Sequence, residues 1–156
     1  MDNIGLLLWK SLGGYLTTNL SKSKDVFVIA TANSIESLPP ELVRKGRFDE
    51  IFFVDLPNIN ERKELLKLYS NKYLKVELGE NLQNKLIEIT EGFSSADIEA
   101  TMRAITYKLI ANPELKLSEE LIVNELSRVV SLSKTNPEKI QEIRAWGKER
   151  AINASK

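Results

Sequence analysis

Two short apolar runs, separated by a mostly polar stretch, constrain this chain more than any other feature. The runs are residues 26–30 and 51–54. Both are rich in β-branched and aromatic residues and too short for a helix, so each predicts a buried strand. Asn33 lies three residues after the first run, and open α/β sheets place their ligand chemistry where strands end. The spacing therefore predicts a polar site beyond the first strand.

A compact cationic pair precedes the second run. Arg44 and Arg47 stand three residues apart, with Gly46 between them. Guanidinium groups suit phosphate because they present planar sets of donors and stay charged. Two interpretations are open: a pair directed at phosphate, or a surface pair bonded to Asp49 or Glu50.

After the second run, apolar periodicity and helix-start signals predict a series of helices. Asn58 and Glu61 have the form of a capping box, which predicts a helix running to about Tyr73. Ser94 and Asp97 form a second start of the same kind. The faces expected to be buried are Leu65, Leu66, Leu68 and Tyr69; Leu82, Leu86 and Ile89; Ile98, Met102, Ile105 and Leu109; Ile122, Leu126, Val129 and Val130; and Ile140, Ile143 and Trp146.

Single residues mark the other helix boundaries. Gly92 is expected to act as the C-cap of the helix before Ser94. Ser118 begins a further helix, and Pro137 begins the last one, in a first turn where its missing N–H is not needed. Charges of alternating sign in this last helix favour a solvated face. Another helix is predicted over residues 3–20, before the first strand.

Composition narrows the classes of function. The 22 Lys and Arg balance the 22 Asp and Glu, so no net charge attracts nucleic acid or an anionic membrane. The chain has no cysteine for disulfides or thiolate metal sites, and no histidine for general-base or zinc chemistry. No metal site is predicted. No apolar segment approaches membrane-spanning length and no signal peptide is evident, so a cytoplasmic location is expected.

Several segments together resemble the second region of homology of AAA ATPases. In order, they are residues 30–33, 38–42, 44–49 and 55–57. Residues 91–98 are similar to the turn with which that family begins the lid helix behind its nucleotide. The resemblance covers roughly residues 24–132. Residues 144–155 are similar to the tail of an uncharacterised AAA group found in bacteria and plastids.

This resemblance implies an α/β fragment followed by an all-α lid. Residues 1–74 are expected to be the C-terminal part of the nucleotide-binding core, with two parallel-sheet strands and flanking helices. Residues 75–156 are expected to form a lid of about four helices, including the C-terminal one. The family's strand that leads into the P-loop is not found in this sequence. Exposed strand edges are therefore expected to pair with each other or with another chain, or to remain unpaired and prone to aggregation.

The resemblance also implies catalytic roles for three residues. Asn33 is expected to sense the terminal phosphate and to orient the attacking water, since an amide both donates and accepts. The alternative is a polar residue that only ends a strand. Arg44 and Arg47 resemble arginine fingers, which reach the nucleotide of a neighbouring subunit and accelerate hydrolysis by about 10³ to 10⁵ where measured. For Arg47, a structural share in the subunit contact is also open.

Ser95 and Ala96 are the residues implied in nucleotide binding, because they lie in the first turn of the lid helix. Small side chains there let the backbone approach the nucleotide closely. Ser95 stands where the family usually has glycine. Its side chain leaves contact between the backbone and the nucleotide possible but slightly crowded. Asp97 is interpreted as a cap rather than a catalytic acid.

A phosphate-binding loop is missing from the sequence. The P-loop pattern G-x-x-x-x-G-K-[ST] wraps the phosphates in glycine amides and brings a lysine to them. None of the seven glycines fits, and the only Gly-Lys pair, Gly147-Lys148, is followed by Glu149. Asp49-Glu50 precedes an apolar run, whereas the family's metal-binding acids end one. ATP and Mg²⁺ are implied by the family, but neither is expected to bind tightly to this chain alone.

The sequence therefore predicts a truncated AAA ATPase module. The family reaction is ATP binding and hydrolysis coupled to macromolecular remodelling, within a ring of AAA subunits. One alternative is a non-catalytic partner subunit that supplies arginine fingers to an intact AAA protein or inhibits it. A second alternative is a helical nucleic-acid-binding module, which the charge balance disfavours. Whether this chain is itself an enzyme, and what is remodelled, stay open.

Overall fold

The structure, a computed structural model, describes residues 29–32, 34 and 50–155. This part of the chain contains a two-stranded parallel sheet and six α-helices. The predicted fold class, an α/β fragment with a mostly helical region, is confirmed. The predictions that lie outside the described residues are the helix over 3–20, the first strand over 26–28, and the site residues Asn33, Arg44 and Arg47.

The sheet joins the second apolar run to the C-terminal end of the chain. Strand β1 (Phe52–Phe53) pairs in parallel with strand β2 (Ile152–Asn153). The Ile152 N–H donates to the carbonyl of Ile51 at 2.9 Å, and the Ala154 N–H donates to the carbonyl of Phe53 at 2.9 Å. The second run is therefore a strand, as predicted, but the sequence pattern did not predict its partner.

The described end of the first apolar run is not part of this sheet. Ile29 and Ala30 lie in irregular backbone, and the side chain of Ile29 is 80% exposed. A strand exists only where a neighbour accepts and donates its backbone hydrogen bonds. In the part of the chain that the structure describes, β1 finds that neighbour in β2.

Helix α1 (Ile59–Tyr69) begins with the predicted capping box. The Glu61 N–H donates to Asn58 Oδ1 at 3.0 Å, and the Asn58 N–H donates to Glu61 Oε2 at 2.8 Å. The helix continues as one π-helical turn, Ser70–Leu74, and stops at Lys75, whose φ of 58° is left-handed. Its end agrees with the predicted one.

Five further helices follow. They are α2 (Glu80–Ile89), α3 (Ser95–Ala111), α4 (Glu119–Ser127), α5 (Leu132–Thr135) and α6 (Pro137–Arg150). Four of them match the predicted helices, and α5 is one additional turn. Among the described residues, no helix combines the length and the apolar character needed to cross a membrane.

The first four helices enclose a single apolar core. Leu66 in α1, Leu86 in α2, Ile98 in α3 and Leu126 in α4 have no exposed surface. Phe93, just before α3, belongs to the same cluster and is 3% exposed. Because each helix contributes to this cluster, the start of α3 is held by packing on several sides as well as by its own cap.

Each predicted face of the first four helices contains buried residues, but Leu68 and Val130 are exposed by 57% and 63%. The predicted face of α6, Ile140, Ile143 and Trp146, is only half-buried. Leu68 lies two residues after Leu66, which turns its side chain roughly to the opposite side of a helix with 3.6 residues per turn. Val130 lies beyond the last residue of α4, so the helical spacing no longer applies to it. The confirmed stripe of α3 consists of Ile98, Met102 and Ile105.

The predicted solvated charged face on α6 is confirmed, because Lys139, Arg144, Lys148 and Arg150 are all exposed. Arg144 also makes a contact that was not predicted. It donates from Nε to both carboxylate oxygens of Asp55, at 2.9 and 2.8 Å. Local charge alternation cannot reveal this pair, because the two residues are 89 positions apart in sequence.

Candidate functional site

The start of α3 is fixed by a reciprocal cap. Ser94 Oγ accepts from the Asp97 N–H at 3.2 Å, and the Ser94 N–H donates to Asp97 Oδ2 at 2.8 Å. Ser94 Oγ also lies 2.9 Å from Asp97 Oδ2. The carboxylate of Asp97 is therefore committed to the helix start, which confirms its interpretation as a cap.

Ser95 and Ala96 occupy the first turn of this capped helix. The first N–H groups of any α-helix have no intrahelical acceptor, and they carry the positive end of the helix dipole. The hydroxyl of Ser95 shares a hydrogen bond of 2.9 Å with the hydroxyl of Tyr69 in α1, while Ala96 is exposed. Ser95 is thus held toward α1, and Ala96 faces solvent.

A charged and aromatic cluster lies beside this turn. Tyr73 Oη donates to Glu99 Oε1 at 2.5 Å, and Lys72 Nζ donates to the same oxygen at 3.0 Å. Lys72 Nζ also lies 4.8 Å from the centre of the Tyr73 ring and 5.9 Å from that of Tyr69. The cluster therefore joins the end of α1 and its π-helical turn to the first turns of α3.

These contacts shift two pKa values in opposite directions. The hydrogen bond from the Tyr73 hydroxyl, and then the one from Lys72, lowers the pKa of Glu99 below its ordinary 4.5. The Tyr73 hydroxyl, and then Glu99, raises the pKa of Lys72 above its ordinary 10.5. Both shifts favour the charged forms. Glu99 consequently adds stability above pH 4.5 and loses it as the pH falls through the lowered pKa.

Replacing Tyr73 by phenylalanine is expected to raise the pKa of Glu99 toward 4.5, because the largest of the lowering contacts disappears. Acid unfolding then begins at a higher pH than in the unmodified chain. NMR titration of the Glu99 side-chain carboxyl measures the shift. The control is Tyr107→Phe, which removes a hydroxyl from an exposed tyrosine on α3, the helix that carries Glu99. An unchanged Glu99 titration in Tyr73→Phe contradicts the assignment.

The structure brings together only some of the predicted site residues. Ser95 and Ala96 lie at the start of α3, whereas Asn33, Arg44 and Arg47 lie outside the described residues. The sequence did not single out Tyr69, whose hydroxyl shares a hydrogen bond with Ser95, or the neighbouring cluster of Lys72, Tyr73 and Glu99. The available signal was the spacing of Tyr69 and Tyr73, one helical turn apart at the end of a predicted helix.

No metal-binding group is found in this part of the molecule. Among residues 29–32, 34 and 50–155, no three His, Cys, Asp or Glu side chains are placed to hold a metal ion. Asp97 and Glu99, the acidic residues in the first turns of α3, are bonded to the helix cap and to the lysine–tyrosine pair. What the turn offers a ligand is its backbone amides.

The sequence profile of the ATPase family associated with various cellular activities (AAA) matches residues 11–56. The chain contains part of an AAA domain. The match includes Asn33, Arg44 and Arg47, and it ends just after β1, so the capped start of α3 lies beyond it.

Longer AAA proteins are similar to this chain well beyond that segment. The uncharacterised AAA domain-containing protein ycf46 of Guillardia theta is 39% identical over 135 residues, which is 86% of this chain and 26% of the relative. The ycf46 protein of Pyropia yezoensis is 38% identical over 144 residues, 92% of this chain and 29% of the relative. The proteasome-activating nucleotidase of Saccharolobus islandicus is 36% identical over 120 residues, 77% of this chain and 30% of the relative.

The chain thus spans between a quarter and a third of the length of these curated AAA relatives. No solved structure matches it. The similarity to these relatives extends beyond the matched segment into the helical region.

Proposed function

We propose that this chain supplies the second half of an AAA ATP site, in which the phosphates of ATP are held by a P-loop that lies outside these 156 residues. The reaction of the complete site is ATP hydrolysis coupled to macromolecular remodelling. One observation carries the proposal: the AAA match contains Asn33, Arg44 and Arg47, while no P-loop pattern occurs in the 156 residues.

In this proposal the polar residues after the first apolar run act on the terminal phosphate. Asn33 donates to a phosphate oxygen and accepts from the attacking water. Arg44 and Arg47 place positive charge on the phosphoryl group as it transfers, which is how arginine fingers accelerate hydrolysis. The roles of Arg44 and Arg47 require the nucleotide of a neighbouring subunit, so the working unit is an assembly of AAA subunits.

The start of α3 serves the nucleotide in a different way. Ala96 is exposed, and its amide lies in the first turn, where the helix dipole favours an approaching negative or polar group. Ser95 keeps its hydroxyl on Tyr69. The side chain that replaces the family's glycine is therefore drawn toward α1 and away from the open end of the helix, which relieves the crowding expected of it.

Mg²⁺ belongs to the family reaction, but the residues of this chain do not fit it. The sequence has no apolar run that ends in Asp-Glu, and the described residues hold no acidic cluster of the required size. We therefore assign the metal to the part of the site that carries the P-loop, outside these 156 residues, and no step of this chain's chemistry passes through it.

The first test is an ATP titration of the purified chain. Without glycine amides to wrap the phosphates, we expect no saturable binding at micromolar nucleotide. Isothermal calorimetry measures this directly, with an AAA protein that hydrolyses ATP by itself as the positive control. Tight, saturable binding by the chain alone overturns the proposal that its phosphate loop lies elsewhere.

The second test adds the chain to such an ATP-hydrolysing AAA relative and measures the rate of phosphate release. We expect the chain to change this rate, up or down, and the change to vanish in the double variant Arg44→Ala, Arg47→Ala. A change that survives the double variant contradicts the finger assignment. No change supports an inert fragment of a truncated module. Salt-sensitive binding to a mixed-sequence duplex instead supports the nucleic-acid alternative.

A further inference from the structure

The C-terminal segment returns to the strand that follows the arginine pair. Its residues 144–154 contact residues 51–55 in three chemically different ways. Two backbone hydrogen bonds join β2 to β1, Arg144 holds both oxygens of Asp55, and Gly147 packs against the ring of Phe53. All three contacts fall within residues 51–55, on β1 and the residues next to it.

Gly147 leaves no room for a side chain beside Phe53. It is buried, and a Cβ atom built at this position would lie 2.6 Å from Cγ of Phe53 and 2.9 Å from two further ring atoms. Real Cβ atoms do not approach a ring so closely, so any side chain here forces the ring or the helix to move. In the sequence, Gly147 stood out only as part of a Gly-Lys pair. Its packing against Phe53 explains why a residue without a side chain is needed at this position.

Each remaining contact is weak when taken alone. The side chains of Arg144 and Asp55 are 50% and 30% exposed, and exposed ion pairs are screened by water and salt. Two-residue strands are not stable in isolation either. Because the three contacts share the same short target, losing one weakens the others, and the segment either holds β1 or releases it.

We infer that residues 144–154 position the arginine pair by holding β1 in place. β1 begins five residues after Arg47, so the strand anchors one end of the segment that carries the arginine pair, and five residues span at most about 18 Å. Asp55, Arg144 and Gly147 are positioning residues in this view. The inference rests on the proposed function. Positioning matters because a misplacement of about 1 Å can cost a catalytic group as much as a hundredfold.

The experiment repeats the mixed-chain assay, at saturating concentrations of this chain, with variants that release the segment. They are Arg144→Ala, Gly147→Ala and a chain that ends at Ala151 and so lacks β2. We expect each to reduce the change in the partner's ATPase rate at least about fivefold at saturation. Arg150→Ala, on the exposed face of the same helix, is the control and should leave the change intact.

Two further measurements separate positioning from general damage to the fold. The charge swap Asp55→Arg with Arg144→Asp should recover at least about half of the change lost in Arg144→Ala, because the ion pair is restored in reverse. Amide hydrogen exchange should accelerate at Ile152 and Ala154 in Gly147→Ala while Leu66 and Ile98 stay protected.

The possible failures are distinguishable. If the wild-type chain leaves the partner's rate unchanged, or its effect survives Arg44→Ala with Arg47→Ala, the proposed function fails and this inference falls with it. If the effect depends on the arginine pair but persists undiminished in the chain that ends at Ala151, the proposed function stands and the positioning role is overturned. Loss of protection at Leu66 in Gly147→Ala also overturns it, because the variant then acts on the whole core.

Discussion

Replacing Ile98 by alanine is expected to lower the free energy of unfolding by about 2–5 kcal/mol. Ile98 has no exposed surface and lies in the cluster shared by the first four helices. Truncation removes three side-chain carbons from contact with their neighbours, and close packing allows the cavity to collapse only in part. Urea unfolding followed by circular dichroism measures the loss, with the slope of the transition checked for constancy.

The same substitution at Ile110 is the matched control. Ile110 lies on the same helix, α3, but its side chain is 71% exposed. Alanine has a slightly higher helix propensity than isoleucine, so the expected change is within about 0.5 kcal/mol and can be stabilising. Equal effects at the two positions contradict the placement of α3 against the other helices. A loss of stability at Ile98 alone supports it.

The helical region was predictable because its signals are local. The start of α3 is specified by Ser94 and Asp97, three residues apart, and the structure shows both hydrogen bonds that this pattern implies. The cap of α1 at Asn58 and Glu61 is specified in the same way. In each case the interacting groups lie within one helical turn, so the sequence contains the whole interaction.

The sheet and the surroundings of Ser95 were not predictable on the same grounds. β2 is two residues long and exists only because β1 lies beside it. Tyr69 and Ser95 are 26 positions apart, yet their hydroxyls share a hydrogen bond. Neither the pairing of β1 with β2 nor the contact between Tyr69 and Ser95 produces a periodic pattern of residues in the sequence. Contacts of this kind follow from how the helices pack, which spacing within one helix does not specify.

Arg62 is a further case in which packing overrides the ordinary preference of a residue. It is only 7% exposed, although arginine is rarely buried without partners. Its guanidinium donates to the carbonyl of Pro57 at 3.0 Å and to that of Ile87 at 3.4 Å. These two bonds tie the approach to α1 to the end of α2, and the residues involved are up to 25 positions apart. A helical pattern read in isolation places this residue on the surface.

Gly92→Ala is expected to lower the free energy of unfolding by about 2–5 kcal/mol through two separate effects. Gly92 has a φ of +75°, a conformation that costs a residue with a Cβ atom about 1–2 kcal/mol. The new Cβ would also lie 2.1 Å from Ser133 Oγ and 3.1 Å from Ser133 Cβ in α5. Overpacking of this kind costs about 1–3 kcal/mol. Urea unfolding again measures the sum.

Gly79→Ala controls for the effect of alanine on the unfolded chain. Gly79 also stands at a helix boundary, but its φ is −61° and a Cβ there meets no atom within 4 Å. Both variants restrict the unfolded state similarly, so that contribution cancels in the difference between them. We expect Gly79→Ala to change stability by no more than about 0.5 kcal/mol.

The double variant Gly92→Ala, Ser133→Ala separates the steric effect from the backbone effect. Removing Ser133 Oγ eliminates the closest approach, so the two substitutions together should destabilise less than the sum of the single variants. The left-handed backbone remains, and a residual loss of about 1–2 kcal/mol is expected. Strict additivity contradicts the contact between α5 and the turn before α3. Since that turn ends at the Ser94 cap, sub-additive coupling means that the short helix α5 helps to fix the first turn in which Ser95 and Ala96 lie.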